Sequence, residues 1–345
     1  MLADLAAGLA LVALVAYAVL AGADFGGGIW DALARGPRRA AQREAIARAM
    51  GPVWEANHVW LIFVIVLLFT CFPPAFAALG VALFVPFHLV LLGIILRGAA
   101  FVFRAYSPQG ARGVEPGRAA LRWGAVFGAA SVITPVLLGM CLGAVSAGGL
   151  RVVDGRVSVA GTPPWLAPLS LSTGAFALAV CAYLAAVYLA NETEGPLRED
   201  FRRRALAAGT AVVALSVLVL PLLHARAPHL WAGLTSPRAA PVVGAGVAAA
   251  LLSGWALWRR RPRLARTAAV VQTTCLLAGW GIAQHPYLIY PDVTVHAAAA
   301  PDATLRFVLW STPFGMGLLL PSLWFLFRVF KGPSLGLTDR AEGEF

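Results

Sequence analysis

Gly51-Pro52-Val53-Trp54-Glu55-Ala56-Asn57-His58-Val59-Trp60-Leu61-Ile62 leads without a break into an apolar run that ends at Phe72-Pro73-Pro74. An apolar stretch over 53–72 suffices to cross a hydrocarbon core of about 30 Å as a helix, and the Pro-Pro pair supplies the turn that ends it. The run shows no two-residue alternation, and backbone groups in lipid must pair internally, so a helix is expected rather than a barrel strand. Eight further stretches read the same way, near 4–30, 77–104, 120–147, 166–190, 205–225, 240–258, 266–284 and 304–330. The expected fold class is therefore an all-α polytopic membrane protein with about nine transmembrane helices.

Composition agrees. Of 345 residues, 60% are hydrophobic and only 12% charged, with a mean hydropathy of +0.78; a soluble domain carries about a quarter of its residues as charges. The net charge of +11 would suggest nucleic acid in a soluble chain. Here the arginines fall in short connectors between apolar runs, where they act as topology signals, so no nucleic-acid partner is expected. Cys71, Cys141, Cys181 and Cys275 stand apart, without metal-ligand or redox spacing. Met1-Leu2-Ala3-Asp4 lacks the basic start of a signal peptide, so the first span is expected to be retained.

Basic residues then orient the spans. All but Arg151, Arg156, Arg226, Arg238 and Arg306 fall in one alternate set of connectors and the carboxyl-terminal tail. The positive-inside rule puts that set in the cytoplasm of a bacterial cell, with the amino terminus outside and the carboxyl terminus inside. Residues 36–50, with Arg38, Arg39, Arg43 and Arg48 around Ile46, suit either a short amphipathic helix on the inner leaflet or a plain basic connector. The order from Tyr17 to Arg39 is faintly echoed from Tyr183 to Arg204: span end, small residues, acid, arginines. Spans 1–4 and 5–8 would then be parallel repeats. The expected division is a first four-helix bundle over 4–147, a second over 166–284 and a peripheral ninth helix over 304–330.

Asp24 and Glu55 carry acid into this apolar chain, near the cytoplasmic ends of the first two spans. A charge at bilayer depth costs about 2.5–3.5 kcal/mol on insertion scales, so such residues mark ion or proton routes; at the interface they would only complement a helix dipole. On a helix Glu55 and His58 share a face, while Asn57 and Trp60 point elsewhere. A carboxylate one turn from an imidazole can hold or pass a proton. Otherwise His58 ties helices together, and Trp54 and Trp60 anchor the interface. Arg97 and Arg104 either snorkel to headgroups or one of them pairs with Asp24 or Glu55 and sets its proton affinity. His58 and His88 differ in depth and make a poor haem pair. No phosphate loop, zinc spacing or nucleophile elbow is present.

At these residues the chain resembles subunit II of the cytochrome bd-type quinol oxidases, including their cyanide-insensitive relatives. The resemblance rests on Asp24-Phe25-Gly26-Gly27-Gly28, on the block from Gly51 to Ile62, and on Leu96-Arg97-Gly98-Ala99-Ala100-Phe101-Val102-Phe103-Arg104. It resumes in Pro286-Tyr287-Leu288-Ile289 and from Ala298 to Phe307. It implies two four-helix bundles plus a peripheral helix, in a heterodimer with a larger subunit I. Subunit I would hold haems b558, b595 and d and the site where quinol is oxidised for reduction of oxygen to water. This subunit would bind no haem or metal, with a structural quinone left open. Glu55 would help deliver cytoplasmic protons, with Asp24 as a second acid near the same face.

The chain departs from that pattern in three places. Glu55 replaces the aspartate of some members, His58 stands where others have glutamine or glutamate, and Pro321-Ser322-Leu323 replaces an expected tyrosine-threonine pair in the last span. A secondary transporter is the alternative of another class, since parallel repeats and intramembrane acids suit it too.

Overall fold

The computed structural model describes the backbone of residues 1–105, 118–153, 155–159 and 161–331, and the side chains of these except 50–55, 104–105, 118–121, 327 and 329–331. Eleven α-helices are present among them: α1 (Leu2–Ala32), α2 (Arg39–Cys71), α3 (Pro73–Ala82), α4 (Phe84–Ala105), α5 (Arg118–Ser146), α6 (Pro168–Glu192), α7 (Gly195–Arg226), α8 (Pro228–Leu234), α9 (Ala240–Trp258), α10 (Pro262–Gln284) and α11 (Asp302–Lys331). Two small antiparallel hairpins accompany them, β1 (Leu150–Val153) with β2 (Arg156–Val159), and β3 (Tyr287–Ile289) with β4 (Val293–Thr294).

Seven helices, α1, α4, α5, α6, α7, α9 and α11, are long and apolar enough to cross a membrane. The chain turns by 117° where α2 meets α3, and the two make an eighth crossing only when taken together. Phe72 breaks the helix ahead of Pro73, whose ring occupies the first helical position where its missing N–H costs nothing. The stretch expected as one span over 77–104 is interrupted at Leu83, so α3 and α4 are separate. Helix α10, which covers the stretch near 266–284, is 23 residues long but carries Arg263, Arg266, Gln272 and Gln284 and lacks the apolarity of the other seven.

The basic stretch over 36–50 is neither a separate surface helix nor a plain connector. From Arg39 onward it is the start of α2, which runs 33 residues to Cys71. Its Ile46 and Ala49 are buried against Leu189, Ala190 and Phe201 at the facing ends of α6 and α7, because apolar burial outweighs contact with headgroups.

Helix α1 runs through the centre, packed on α2, α5 and α6, while α6 also packs on α5 and α7. Close approach here depends on Gly26 and Gly28. A methyl group at Gly26 would overlap the Cys181 carbonyl of α6, and one at Gly28 would overlap the Ser131 hydroxyl of α5. Helix α11 touches α1 and α2 and leaves its apolar side chains, such as Phe314 and Leu318, largely exposed.

The connectors that carry most of the arginine gather at one end of the bundle. Arg38 pairs with Asp200 at 2.6 Å, Arg266 with Glu192 at 3.4 Å, and Arg202 donates to the Leu257 carbonyl at 3.2 Å. The two hairpins lie together at the other end, where Arg151 pairs with Asp292 at 2.8 Å.

Candidate functional site

Four helices converge on Asp24, about 12 Å along α1 from its arginine-rich end at 1.5 Å per residue. Arg97 of α4 grips its carboxylate with both terminal nitrogens, Nη1 donating to Oδ2 at 2.5 Å and Nη2 to Oδ1 at 2.6 Å. Nη2 also donates to the Asp24 carbonyl at 2.8 Å. The remaining guanidinium nitrogen, Nε, donates to Ser131 Oγ of α5 at 2.9 Å, and the Ser131 hydroxyl in turn donates to the Phe127 carbonyl at 2.7 Å. From α2, Asn57 Nδ2 donates to Asp24 Oδ2 at 2.8 Å. Phe25 and Phe127 place their rings 5.1 and 4.9 Å from the guanidinium carbon, within range of a cation–π attraction.

Both charges are sealed from solvent, with 4% of the Arg97 side chain and 2% of the Asp24 side chain exposed. A buried ion pair endures only when further hydrogen bonds satisfy what is left of each partner, and here each receives them. The fork of a guanidinium suits two carboxylate oxygens at once, which the point charge of a lysine would not do.

This geometry decides between the two readings of Arg97: it pairs with Asp24, one of the two acids the sequence offered, instead of turning outward to headgroups. It also shows where Asn57 points when it leaves the Glu55–His58 face: into the ion pair. The second acid is differently documented. Glu55 and Trp54 belong to α2 by backbone, but their side chains lie outside the described residues, as does that of Arg104. His58 is half-buried. Trp60 is half-buried as well, packed beside Phe63 with centroids 6.4 Å apart. His88 stands exposed on the outer surface of α4, its Nδ1 2.7 Å from the Phe84 carbonyl. It is therefore not directed at an interior shared with His58, and these two residues do not fit a haem held within the chain. Among the described residues no cluster of three or more histidine, cysteine, aspartate or glutamate side chains is disposed to hold a metal.

Sequence reasoning missed three side chains. Ser131 gives no signal of its own in α5; only the Gly28 contact explains its placement. Tyr17, on α1 two turns from Asp24, is buried with a hydroxyl that has no hydrogen-bond partner among the described residues, and Thr134 of α5 is in the same condition. A second network lies at the arginine-rich end. Asp200 accepts from Arg38 Nε at 2.8 Å and from Gln42 Nε2 at 2.9 Å, and Gln42 accepts from Arg204 at 2.7 Å. The guanidinium of Arg204 lies 5.3 Å from the Trp30 and Phe201 rings alike.

Comparison with known proteins follows the same lines. The sequence profile described as "Cytochrome bd terminal oxidase subunit II" matches residues 2–330. A Bacillus subtilis (strain 168) chain assigned as a cytochrome bd menaquinol oxidase subunit II is 26% identical over 327 residues, covering 91% of each chain. Another from the same organism, named cytochrome bd ubiquinol oxidase subunit 2, is 26% identical and covers 93% of this chain and 94% of its own. The structure of bd oxidase from Geobacillus thermodenitrificans contains a chain that superposes with a TM-score of 0.80 at 23% identity, covering 95% of this chain and 98% of that one.

Proposed function

The chain belongs to the cytochrome bd terminal oxidase subunit II family, and from that membership we propose how its polar residues serve the quinol oxidase of which it is a part. It is subunit II of a membrane oxidoreductase that contains haem and works with a subunit I, with quinol and oxygen as substrates. Family membership leaves the transporter alternative without support.

In this reading the haems and the quinol site lie on subunit I, the arginine-rich end faces the cytoplasm, and residues 4–147 and 166–284 act as two bundles with α11 outside them. Haem, held by the partner, supplies the electron chemistry; this chain supplies a proton entry. Glu55 accepts a proton from the cytoplasmic side and passes it inward, and His58, one turn on, shares it. Asp24 is the fixed member. Its oxygens are occupied by Arg97 and Asn57, so it holds the helices and the local field while Glu55 changes its protonation.

The observation that carries this reading is the hydrogen bond from Asn57 to Asp24. It docks the turn of α2 that bears Glu55 and His58 against a buried charge pair, and a proton-relaying group gains a defined position only from such support. Glu55→Gln keeps the size and hydrogen bonding but cannot change charge, so oxygen consumption driven by quinol should fall while the haem spectrum stays normal. Glu55→Asp should retain much of the activity. Wild-type turnover by the Gln variant across a pH series would make Glu55 structural. Reporter fusions after Arg203 and Arg260 should read cytoplasmic, and one at Asp292 external; reversed readings would overturn the orientation.

A further inference from the structure

Helix α9 ends in an unusual turn. Arg261 N–H donates to the Ala256 carbonyl at 2.8 Å and Arg260 N–H to the Leu257 carbonyl at 3.2 Å. This is the paired bond pattern in which a helix closes through one left-handed residue, most often glycine. Here the left-handed residue is Arg260, at φ 57°, the one non-glycine residue with positive φ among those described. The reversal sends Arg260 toward Glu199, 3.8 Å away. Arg259 and Arg261 lie by Trp255 instead, with guanidinium carbons 5.9 and 5.4 Å from the centroid of its ring.

These two arginines have no carboxylate within 4.0 Å among the described residues, and neither does Arg263. The acids nearby are engaged: Glu199 with Arg202 and Arg203, Asp200 with Arg38, Glu192 with Arg266. Below the turn, Val247, Leu251, Trp255 and Trp258 follow one another at helical spacing, with 57%, 70%, 40% and 72% of each residue exposed. They form one continuous apolar face of α9 that leads from hydrocarbon depth up to the two guanidinium groups.

We infer that this turn is a binding site for an anionic phospholipid, with the headgroup phosphate between Arg259 and Arg261 and an acyl chain along Val247, Leu251 and Trp258. Charge complementarity selects the phosphate, since two planar donors without acid partners stand ready for its oxygens. The apolar face selects a lipid over free phosphate, and the exposed indoles suit the level of the headgroups. Basic pockets beside membrane helices recognise such headgroups elsewhere.

The test uses the purified two-subunit oxidase in nanodiscs of phosphatidylcholine doped with phosphatidylglycerol or cardiolipin, followed by release and native mass spectrometry. The wild type should retain anionic lipid in preference to phosphatidylcholine, and inorganic phosphate should not displace it. The double variant Arg259→Gln/Arg261→Gln should lose about 10- to 30-fold of that preference, the sum expected for two basic residues at a membrane surface, with its haem spectrum unchanged. Arg260→Gly satisfies the left-handed turn without its side chain and should keep the preference. Equal retention of both lipid classes by the wild type, displacement by phosphate, or full preference in the double variant would each overturn the site. Should the double variant fail to assemble, the wild-type selectivity and the phosphate competition still decide the matter.

Discussion

Helices α1 and α6 occupy comparable places in the two halves of the chain and carry a tyrosine at comparable positions, Tyr17 and Tyr183, yet their interiors differ in kind. Seven residues beyond Tyr17 stands Asp24, locked to Arg97 in a sealed ion pair. Seven residues beyond Tyr183 stands Ala190, buried among apolar neighbours. The tyrosines differ accordingly. The Tyr183 hydroxyl donates to Ser253 Oγ at 2.5 Å, and Ser253 donates to the Ala265 carbonyl at 3.0 Å, which closes a neutral chain. The Tyr17 hydroxyl is buried without a hydrogen-bond partner among the described residues. Around these two tyrosines, then, α1 is built on a buried charge pair with a hydroxyl left unpaired among the described residues, and α6 on neutral hydrogen bonding. Natural proteins give up local consistency at functional places and regain it elsewhere, which makes the surroundings of Asp24 the part of these two helices that the proposed proton route would use.

The sharpest way to break this contrast is to unbalance the charged half. Asp24→Asn leaves Arg97 buried without a counter-charge, at a cost of about 3–5 kcal/mol. The complex should lose haem content and assemble poorly, read by absorption of purified membranes. Asp24→Leu combined with Arg97→Met should recover assembly, because replacing both charges by apolar groups is often neutral. If Asp24→Asn assembles like wild type, the pair is not what holds these helices.

Next in size is Glu55→Gln. A general acid–base group contributes about 100- to 10,000-fold when it acts in the rate-limiting step, and relay through parallel water paths would reduce that loss. Oxygen uptake with quinol measures it.

Smaller still is the tyrosine comparison. Tyr183→Phe removes one buried hydrogen bond and should destabilise by about 0.5–1.5 kcal/mol, seen as a lower thermal midpoint of the detergent-solubilised complex. Tyr17→Phe removes a hydroxyl with no partner among the described residues and should be neutral or slightly stabilising. Equal losses at both positions would mean that Tyr17 has a partner in the assembled oxidase.

The smallest effect is expected at the hairpin end. Arg151, donating to Asp292, holds that carboxyl below the usual carboxylate range, helped by the Val152 N–H and opposed by partial burial. A carboxyl whose folded-state affinity for protons is depressed contributes stability above its unfolded pKa of about 3.9 and loses it as pH falls through the lower folded value. Asp292→Asn should therefore lower the thermal midpoint slightly near neutrality and have no effect in strong acid, with the neutral-pH difference shrinking in high salt.

The membrane class, the helical form of the spans and the break at Phe72-Pro73 were legible in the chain itself, because hydropathy, the demands of backbone pairing in lipid and proline geometry act locally. So was the choice of Asp24 and Asn57 as polar residues to watch, since acid and amide are costly in such surroundings, and the two do meet. The grouping of arginine connectors at one end was legible too, as a count. The partners were not. That Arg97 turns inward, that Asn57 reaches Asp24 and that Ser131 completes the guanidinium depend on α1, α2, α4 and α5 meeting at one depth, and no spacing along a single helix encodes that meeting. The fate of residues 36–50 was likewise missed, because a basic, alanine-rich stretch reads as a surface helix or a plain connector and in the structure is the start of α2. Burial of Ile46 and Ala49 against Leu189 and Phe201 sets that outcome, and burial belongs to the packed molecule.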